Sequence, residues 1–171
     1  MGLSVAISGG IVMFSLAYIM LTLPGVIDQT TAVTRASSSV SDIDNSILKT
    51  NIAMSSFSAS SGSSTMNFTI TNTGTEKLWN YAKSSIIITY PIAGSTNRTE
   101  SFVYQSGACV NPPAGKWCIV SITGDSFDPG ILNTNESLNG RATSSTTLDV
   151  GTAYAVFSTD NGVTASRTDP T

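Results

Sequence analysis

The chain has 171 residues and a formal net charge of −3, and only 11% of its residues are charged. Its few basic residues are scattered singly, so composition excludes a basic patch for nucleic acid. The chain contains no His, which removes the commonest general base and metal ligand. We therefore expect a protein that is not an enzyme, with no cofactor, metal or small-molecule substrate.

The opening segment, residues 1–27, carries no charged side chain. Residues 3–23 are long enough to cross a bilayer, whose ~30 Å hydrocarbon core needs about 20 apolar residues. A cleaved secretory signal is the alternative, but no basic residue precedes the run and no small-x-small cleavage site follows it. We predict a transmembrane helix over residues 1–27, with the N-terminus in the cytoplasm and the remainder outside the cell.

A stripe of small residues also runs along this predicted helix. It consists of Gly2, Ala6 and Gly10, at a spacing of four. Such a stripe lets a second helix approach closely, so these residues are a candidate helix–helix contact. Because glycine is common in membrane helices, the stripe could equally be incidental. The functional alternative is oligomerisation through the anchor.

Residues 28–54 have apolar side chains at heptad spacing and predict a helical stalk. The stripe comprises Val33, Ala36, Val40, Ile43, Ile47 and Met54. A narrow stripe on a Ser/Thr-rich helix must dock to be stable, either on the β-domain of the same chain or on a helix of another subunit. Pro24-Gly25 predicts a kink or short break, and the serine-rich segment 55–64 predicts a hinge.

From residue 65 onward the pattern changes to short runs with a period of two, separated by turn residues. Seven strands are predicted, at 65–72, 76–81, 85–90, 100–105, 117–122, 146–150 and 152–158. Strands of this number and spacing are typical of a β-sandwich. The predicted fold is mainly β: a transmembrane and stalk helix followed by an immunoglobulin-like β-sandwich over 65–171. Trp79 and Trp117 are expected to lie in strands and pack in its core.

The two cysteines, Cys109 and Cys118, lie on either side of a Pro-Pro-Ala-Gly turn. A hairpin would bring their Cα atoms to the roughly 5.5–6 Å that a disulfide needs. With no His and no third Cys the pair is a poor zinc site, so we predict a disulfide, with unpaired core thiols as the alternative. Candidate N-glycosylation sites at Asn67, Asn97 and Asn135 join it in favouring an extracytoplasmic domain.

Five further stretches carry a resemblance to a known family, together with the apolar opening MGLSVAISGGIVMFSLAYIML. They are ITNTGTEKLW from residue 70, IIITY from 86, GKWCIVSI from 115, DPGIL from 128 and NGVTAS from 161. With them the sequence resembles the archaeal flagellum (archaellum) accessory proteins of the FlaF/FlaG (ArlF/ArlG) family. The resemblance implies a stator that tethers the archaellum motor to the surface layer. Its implied partners are a surface-layer protein or a sister stator subunit, and it implies no catalytic residue.

An alternative is an archaellin or type IV pilin-like subunit of an extracellular filament. Precursors of that kind carry a basic residue plus Gly before the apolar core, whereas nothing basic precedes Gly2, and bacterial-type pilins carry a Glu near the mature start, where this chain has Val5. The expectation is an unprocessed anchor, unless a leader has been omitted.

Two further functions have weaker support in the residues. A surface adhesin or glycan-binding module would need an exposed aromatic platform, but the aromatic side chains are explained as strand packing. Those considered are Tyr81, Tyr90, Tyr104, Trp117 and Tyr154. Asp125 and Asp128 could form half of a calcium site, yet calcium takes about 6–8 oxygen ligands. We interpret Asp128-Pro129-Gly130 as a turn.

Overall fold

The computed structural model describes residues 2–94 and 96–171, with the side chains of residues 2–6 and 26 outside the description. The chain divides into two compact units, Met1–Asp44 and Asn45–Thr171. The first unit is helical. The second contains the last helical residues and the β-domain.

Helix α1 spans Gly2–Lys49 and continues through Pro24, so the alternative of a break there is wrong. Hydroxyl side chains within its apolar part are satisfied by the helix itself: Ser15 donates to the Ile11 carbonyl at 2.9 Å, and Thr22 to the Tyr18 carbonyl at 3.0 Å. Such back-bonding lets Ser and Thr sit in an apolar surrounding without an unpaired polar group.

The end of α1 is held by the loop that follows the second strand. The Lys49 carbonyl accepts the N–H groups of Thr75 at 2.9 Å and Glu76 at 3.2 Å. Gly74 makes this approach possible, since a Cβ there would lie 2.4 Å from both the Lys49 carbonyl oxygen and the Asn51 nitrogen. The last helical carbonyl is therefore capped within the second unit.

Eight strands form the β-domain, with a short 3₁₀ helix at Tyr81–Lys83. They are β1 Ile52–Ala59, β2 Thr65–Asn72, β3 Ser85–Ile92, β4 Thr96–Tyr104, β5 Lys116–Thr123, β6 Ser137–Thr143, β7 Thr152–Ser158 and β8 Thr164–Pro170. Their order is β1-β2-β6-β5-β4-β3-β7-β8. All pairs are antiparallel except β4–β5, which is parallel and joined only at Val103–Lys116 and Tyr104–Trp117.

The sheet folds over into two layers at this narrow β4–β5 junction, and its two ends meet. The Arg167 guanidinium of β8 donates to the Ser55 carbonyl of β1 at 2.8 Å, and the Ala59 N–H donates to the Asp169 carboxylate at 3.0 Å. The predicted sandwich-like β-domain behind a long apolar helix is confirmed.

The core between the layers is built around Trp117, which is fully buried. Its ring centroid lies 5.8 Å from that of Phe68, 5.6 Å from Phe157 and 4.8 Å from Tyr104. Gly140 of β6 leaves room for this cluster, because a Cβ there would come within 2.2 Å of the Phe68 ring. Burial of each large side chain contributes about 1.5–3 kcal/mol, so this cluster is a substantial part of the stabilisation of the domain.

Four predicted strands fall within β2, β3, β5 and β7, and the one predicted at 100–105 overlaps β4, whereas those predicted at 76–81 and 146–150 are wrong. The first is diverted at its start, where the Glu76 N–H joins that of Thr75 in capping the helix, and its only bridge to another segment, among the described residues, is between Leu78 and Leu132. The second is a loop that packs Leu148 into the core and donates its N–H to the Ser63 carbonyl at 2.9 Å.

The predicted stalk and hinge boundaries are also wrong, because β1 occupies Ile52–Ala59. Serines in this strand alternate with the buried side chains of Ile52, Met54, Phe57 and Ala59, and β1 pairs along β2. The serine-rich composition marks the solvent side of a strand rather than a flexible segment. Met54 accordingly belongs to the core and not to the helical stripe.

Candidate interaction surface

Among the described residues of the first unit, those from Ile7 to Ile27 present an apolar surface. Ile7–Lys49 contains a stretch long and apolar enough to cross a membrane, judged by length and composition. Its exposed large apolar side chains are Ile7, Ile11, Val12, Met13, Phe14, Leu16, Tyr18, Ile19, Met20, Leu21, Leu23 and Ile27. With no charge before Asp28, such a helix is stable in lipid and costly to expose to water.

The two stripes predicted on the helix are only partly described. Gly2 and Ala6 lie outside the residues whose surroundings the structure describes, and a Cβ at Gly10 would meet no atom within 4 Å apart from its own stretch of helix. On the stalk, Val33, Val40 and Ile43 are exposed. Both helix–helix contact and docking of the stalk remain predictions.

In the β-domain, the outer face of β4, β3, β7 and β8 carries no charged side chain. We call it the uncharged face, and the strand register places twelve side chains over its main part, with Pro91, Asn97, Thr152 and Pro170 continuing it at one end. The twelve are Thr99, Ser101 and Val103 of β4; Ser85, Ile87 and Thr89 of β3; Tyr154, Val156 and Ser158 of β7; and Thr164, Ser166 and Thr168 of β8. At its centre Ile87 is 44% exposed and lies opposite Ser101 on one side and Val156 on the other. Val103 and Tyr154 are exposed by 54% and 43%.

The outer face of β1, β2, β6 and β5 is different, and we call it the hydrogen-bonded face. A row of side-chain hydrogen bonds crosses all four strands: Ser56 to Thr69 at 2.8 Å, Thr69 to Asn139 at 3.0 Å, and Asn139 to Ser121 at 3.1 Å. Asn139 also donates to Thr123 at 3.1 Å. The polar groups of this face are therefore already paired with one another.

The structure joins Cys109 and Cys118 in a disulfide with a Cα separation of 5.5 Å. The expected hairpin between them is wrong, because β4 and β5 run parallel and a loop at 105–115 connects them. The bond fastens this loop to β5, and the Arg141 guanidinium of β6 donates to the Val110 carbonyl at 2.5 Å. The disulfide and this hydrogen bond thus hold the 105–115 loop against the strands of the hydrogen-bonded face.

All three candidate glycosylation sites are exposed. Asn67 lies in β2, where its side-chain oxygen accepts from the Arg141 Nε at 3.0 Å. Asn97 lies in β4, and Asn135 occupies a turn with a φ of +67°.

Asp125 and Asp128, considered above as half of a calcium site, lie in a turn. Asp125 accepts the Gly130 N–H at 3.1 Å, and Asp128 contacts the Lys77 ammonium at 2.5 Å. Across the described chain no group of three His, Cys, Asp or Glu side chains is arranged to hold a metal. These contacts account for both carboxylates as structural groups.

Trp117 is buried as predicted, but Trp79 is 66% exposed. The prediction for Trp79 is wrong because its segment is not a strand, and it is Leu78 that turns inward. Tyr81 and Tyr90 are buried, and the Tyr81 hydroxyl donates to the Leu78 carbonyl at 3.0 Å. Burial raises the pKa of the Tyr81 hydroxyl well above its ordinary value, which keeps it a neutral hydrogen-bond donor.

The uncharged face was not predicted from the sequence. The available signal is the uninterrupted run Ile86-Ile87-Ile88, which is typical of a strand covered on both faces. Ile86 and Ile88 are fully buried, yet Ile87 faces outward on an uncovered surface.

The described part of the chain thus combines a long apolar helix with a β-sandwich that has one uncharged outer face. No protein-family model matches the chain, and no curated protein matches it. Among solved structures it is similar to the archaellum periplasmic stator protein FlaG from Sulfolobus acidocaldarius, with 18% identity over 70% of this chain and 99% of that chain and a TM-score of 0.48. It is also similar to the archaellum periplasmic stator protein complex of FlaF and FlaG from the same organism, with 17% identity over 69% of this chain and 87% of that chain and a TM-score of 0.50. The fold expected from the sequence resemblance is thus the fold observed.

Proposed function

We propose that this protein is a non-enzymatic, membrane-anchored subunit of an archaellum stator. The observation that carries the proposal is the union, in one chain, of a long helix that has no charged residue before Asp28 and a β-sandwich similar in fold to a solved structure of the FlaF–FlaG complex. The helix would hold the protein in the cytoplasmic membrane, with its N-terminus in the cytoplasm. The disulfide and the exposed sequons support an oxidising, extracytoplasmic setting for the β-domain.

The uncharged face is the surface that we assign to a sister stator subunit. Covering it would desolvate Ser and Thr hydroxyls and four larger side chains, but no ion, so the cost of dehydration is small. Its centre, Ile87 with Val156, offers the apolar contact that protein interfaces place in their middle. A sister subunit is the favoured occupant because the similar structure is itself a complex of two stator proteins.

The test is a matched pair of substitutions. Ile87 and Val120 are both β-branched and almost equally exposed, at 44% and 46%, but Val120 lies on β5 in the other layer. Ile87→Lys should weaken capture of the co-expressed sister subunit by the full-length protein in membranes by roughly 100-fold, as expected for a charge placed in the middle of an interface. Val120→Lys should leave capture unchanged, and equal effects of the two substitutions would remove the assignment.

Tethering to a surface-layer protein is the second part of the proposal. The full-length protein, reconstituted in vesicles, should retain isolated surface layer above a vesicle-only control. The absence of such retention would restrict the role to subunit assembly. Separately, alkaline carbonate should leave the protein in the membrane pellet, because the apolar helix is inserted; release into the supernatant would contradict the anchor.

An archaellin or pilin-like filament subunit is the second candidate. The observation that favours it is the continuous 48-residue helix, whose apolar surface would also suit the core of a filament. N-terminal sequencing of the native protein separates the two. A start at residue 1 or 2 supports the stator anchor, and a start several residues further in supports the filament subunit.

A further inference from the structure

The three sequons differ in the structural role of their asparagines. Asn67 lies in β2, where its side-chain oxygen accepts from the Arg141 Nε at 3.0 Å, and the same guanidinium holds the 105–115 loop through the Val110 carbonyl. Asn135 has a φ of +67°, in the left-handed region that Asn adopts more readily than most other residues. Both positions therefore have a structural reason to be Asn that does not involve a glycan.

Asn97 has no such role. It is exposed on the outer side of β4, opposite Pro91, and among the described residues its side chain forms no hydrogen bond. Asn is depleted in strands, whereas Thr99 and Val103, on the same side of β4, are residue types that strands favour. The sequon Asn97-Arg98-Thr99 itself is thus the explanation that remains for an Asn here.

The surroundings of Asn97 leave room for a bulky group. β4 pairs with β3 on one side, and on its other side, within the described residues, it pairs with β5 only at Val103 and Tyr104. Asn67, by contrast, has a paired strand on each side. An N-linked glycan is large and needs an open surface. Asn97 can carry one without displacing a contact, whereas a glycan at Asn67 would disturb its bond to the guanidinium.

We propose that Asn97 is the principal N-glycosylation site of this protein, modified by a transferase whose donor is an oligosaccharide linked to a lipid phosphate. The bond between the anomeric carbon and the phosphate oxygen breaks, and that carbon bonds to the Asn97 Nδ2. The lipid phosphate leaves with the bonding electron pair and takes up the proton that the amide nitrogen loses. This modification rests on the extracytoplasmic setting of the β-domain in the proposed function.

A glycan at Asn97 would also shield an open strand edge. Val103 donates its N–H away from β3, to the Gly115 carbonyl at 3.1 Å, and alternate residues of a strand share that direction. The N–H and C=O groups of Asn97, Thr99 and Ser101 therefore point away from β3 too. Unpaired groups of this kind can pair with strands of unrelated chains, and a bulky group beside them prevents it.

The centre of the uncharged face stays accessible with Asn97 glycosylated. Asn97 lies at one end of that face, whereas Ile87 at its centre is opposite Ser101. Four residues of strand separate Asn97 from Ser101, which is about 13 Å at ~3.4 Å per residue. The glycan and a subunit bound at Ile87 can therefore occupy the same molecule.

Mass spectrometry of the full-length protein, isolated from membranes of the cells that make it, tests the proposal. Glycopeptides should show Asn97 occupied in most molecules, and in more of them than Asn67 or Asn135. Protein produced in bacteria without the transferase gives the unmodified mass. Occupancy of Asn97 equal to or lower than that of either other sequon would overturn the proposal.

Substitutions within β4 test whether the sequon directs the modification. Thr99→Val retains Asn97 and a β-branched side chain but destroys the sequon, so the glycan should be lost completely, as in Asn97→Gln. Thr99→Ser keeps the sequon and should keep the glycan. Ser101→Val, the matched control at the next outward position of β4, should keep it as well. A glycan that survives Thr99→Val would refute the assignment.

The state of Cys109 and Cys118 in the same spectra separates this proposal from the proposed function. Unmodified Asn97 beside an intact disulfide would refute the glycan and leave the extracytoplasmic setting standing. Unmodified Asn97 together with two free thiols would contradict both.

Discussion

The two outer faces of the sandwich share strand geometry but differ in how their polar groups are satisfied. On the hydrogen-bonded face, Asn139 links Thr69 of β2 to Ser121 and Thr123 of β5. On the uncharged face, Thr89 and Thr99 bond at 2.8 Å, but no row of side-chain bonds crosses the four strands within the described residues. The side chains of the first face are linked across its strands, whereas the second combines apolar centres with hydroxyls that form one cross-strand side-chain bond among the described residues. Two surfaces with few charges can therefore differ in their capacity to bind a partner, depending on whether their polar side chains are already hydrogen-bonded to one another.

The largest expected effect concerns the core on which both faces rest. Trp117→Ala should lower the free energy of unfolding by about 3–5 kcal/mol, because it removes a fully buried ring in contact with Phe68 and Phe157. Trp79→Ala, at a 66% exposed tryptophan, should change it by less than about 0.5 kcal/mol. Denaturant unfolding of the two variants measures the difference, and similar losses would show that Trp79 is packed.

The next largest effect is expected from the disulfide, which lies on the side of the hydrogen-bonded face and should affect stability but not binding through the uncharged face. Replacing Cys109 and Cys118 together by Ser should lower the free energy of unfolding by about 2–4 kcal/mol, since a loop fastened to β5 is released. Capture of a sister subunit through the uncharged face should persist once the variant is folded. Denaturant unfolding with and without reductant tests the first point, and intact mass rising by two hydrogens on reduction tests the bond. An unchanged mass would exclude it.

A smaller difference should distinguish the polar side chains of the two faces. Asn139→Ala breaks a row that links four strands and should cost about 1 kcal/mol of unfolding free energy. Ser166→Ala, on the uncharged face, should be close to neutral. If both were neutral in thermal unfolding, the hydrogen-bonded face would have no stabilising role.

The smallest effect is a pH dependence at Glu100, on the inner side of β4. Burial raises the pKa of this carboxyl, but hydrogen bonds from the Ser145 side chain and N–H and from Tyr90, with the Arg98 charge, outweigh it and leave the pKa below its ordinary value. Glu100 therefore stabilises the fold above its unfolded pKa of about 4.3 and loses that contribution as pH falls through its folded pKa. Glu100→Gln should flatten the acid limb of a stability–pH curve, and an unchanged slope would count against these contacts.

The sequence was informative where apolar period and length agree. The opening helix and strands β2, β3 and β7 follow from such patterns. β6 and β8 were missed because SLNGRAT contains a glycine that makes room for Phe68, and TASRTDP contains charges whose role is to bridge to β1. In both β6 and β8, contacts with residues distant in sequence determine that the segment is a strand.

The candidate surface was less accessible than the fold. Ile87 could be assigned to the outside only once Ile86 and Ile88 were seen to fill the core. Which exposed hydroxyls have partners depends on neighbouring strands far apart in sequence, such as Thr69 and Asn139, 70 residues apart. No local pattern reports that pairing.

Photo-crosslinking in native membranes tests the central claim most directly. A photoreactive side chain at Ile87 of the full-length protein should yield an adduct with a second subunit that itself combines an apolar helix with a β-sandwich, identified by mass spectrometry. The same group at Val120, equally exposed in the other layer, should yield none. Adducts from Val120 alone, or from both positions equally, would contradict the assignment of the uncharged face.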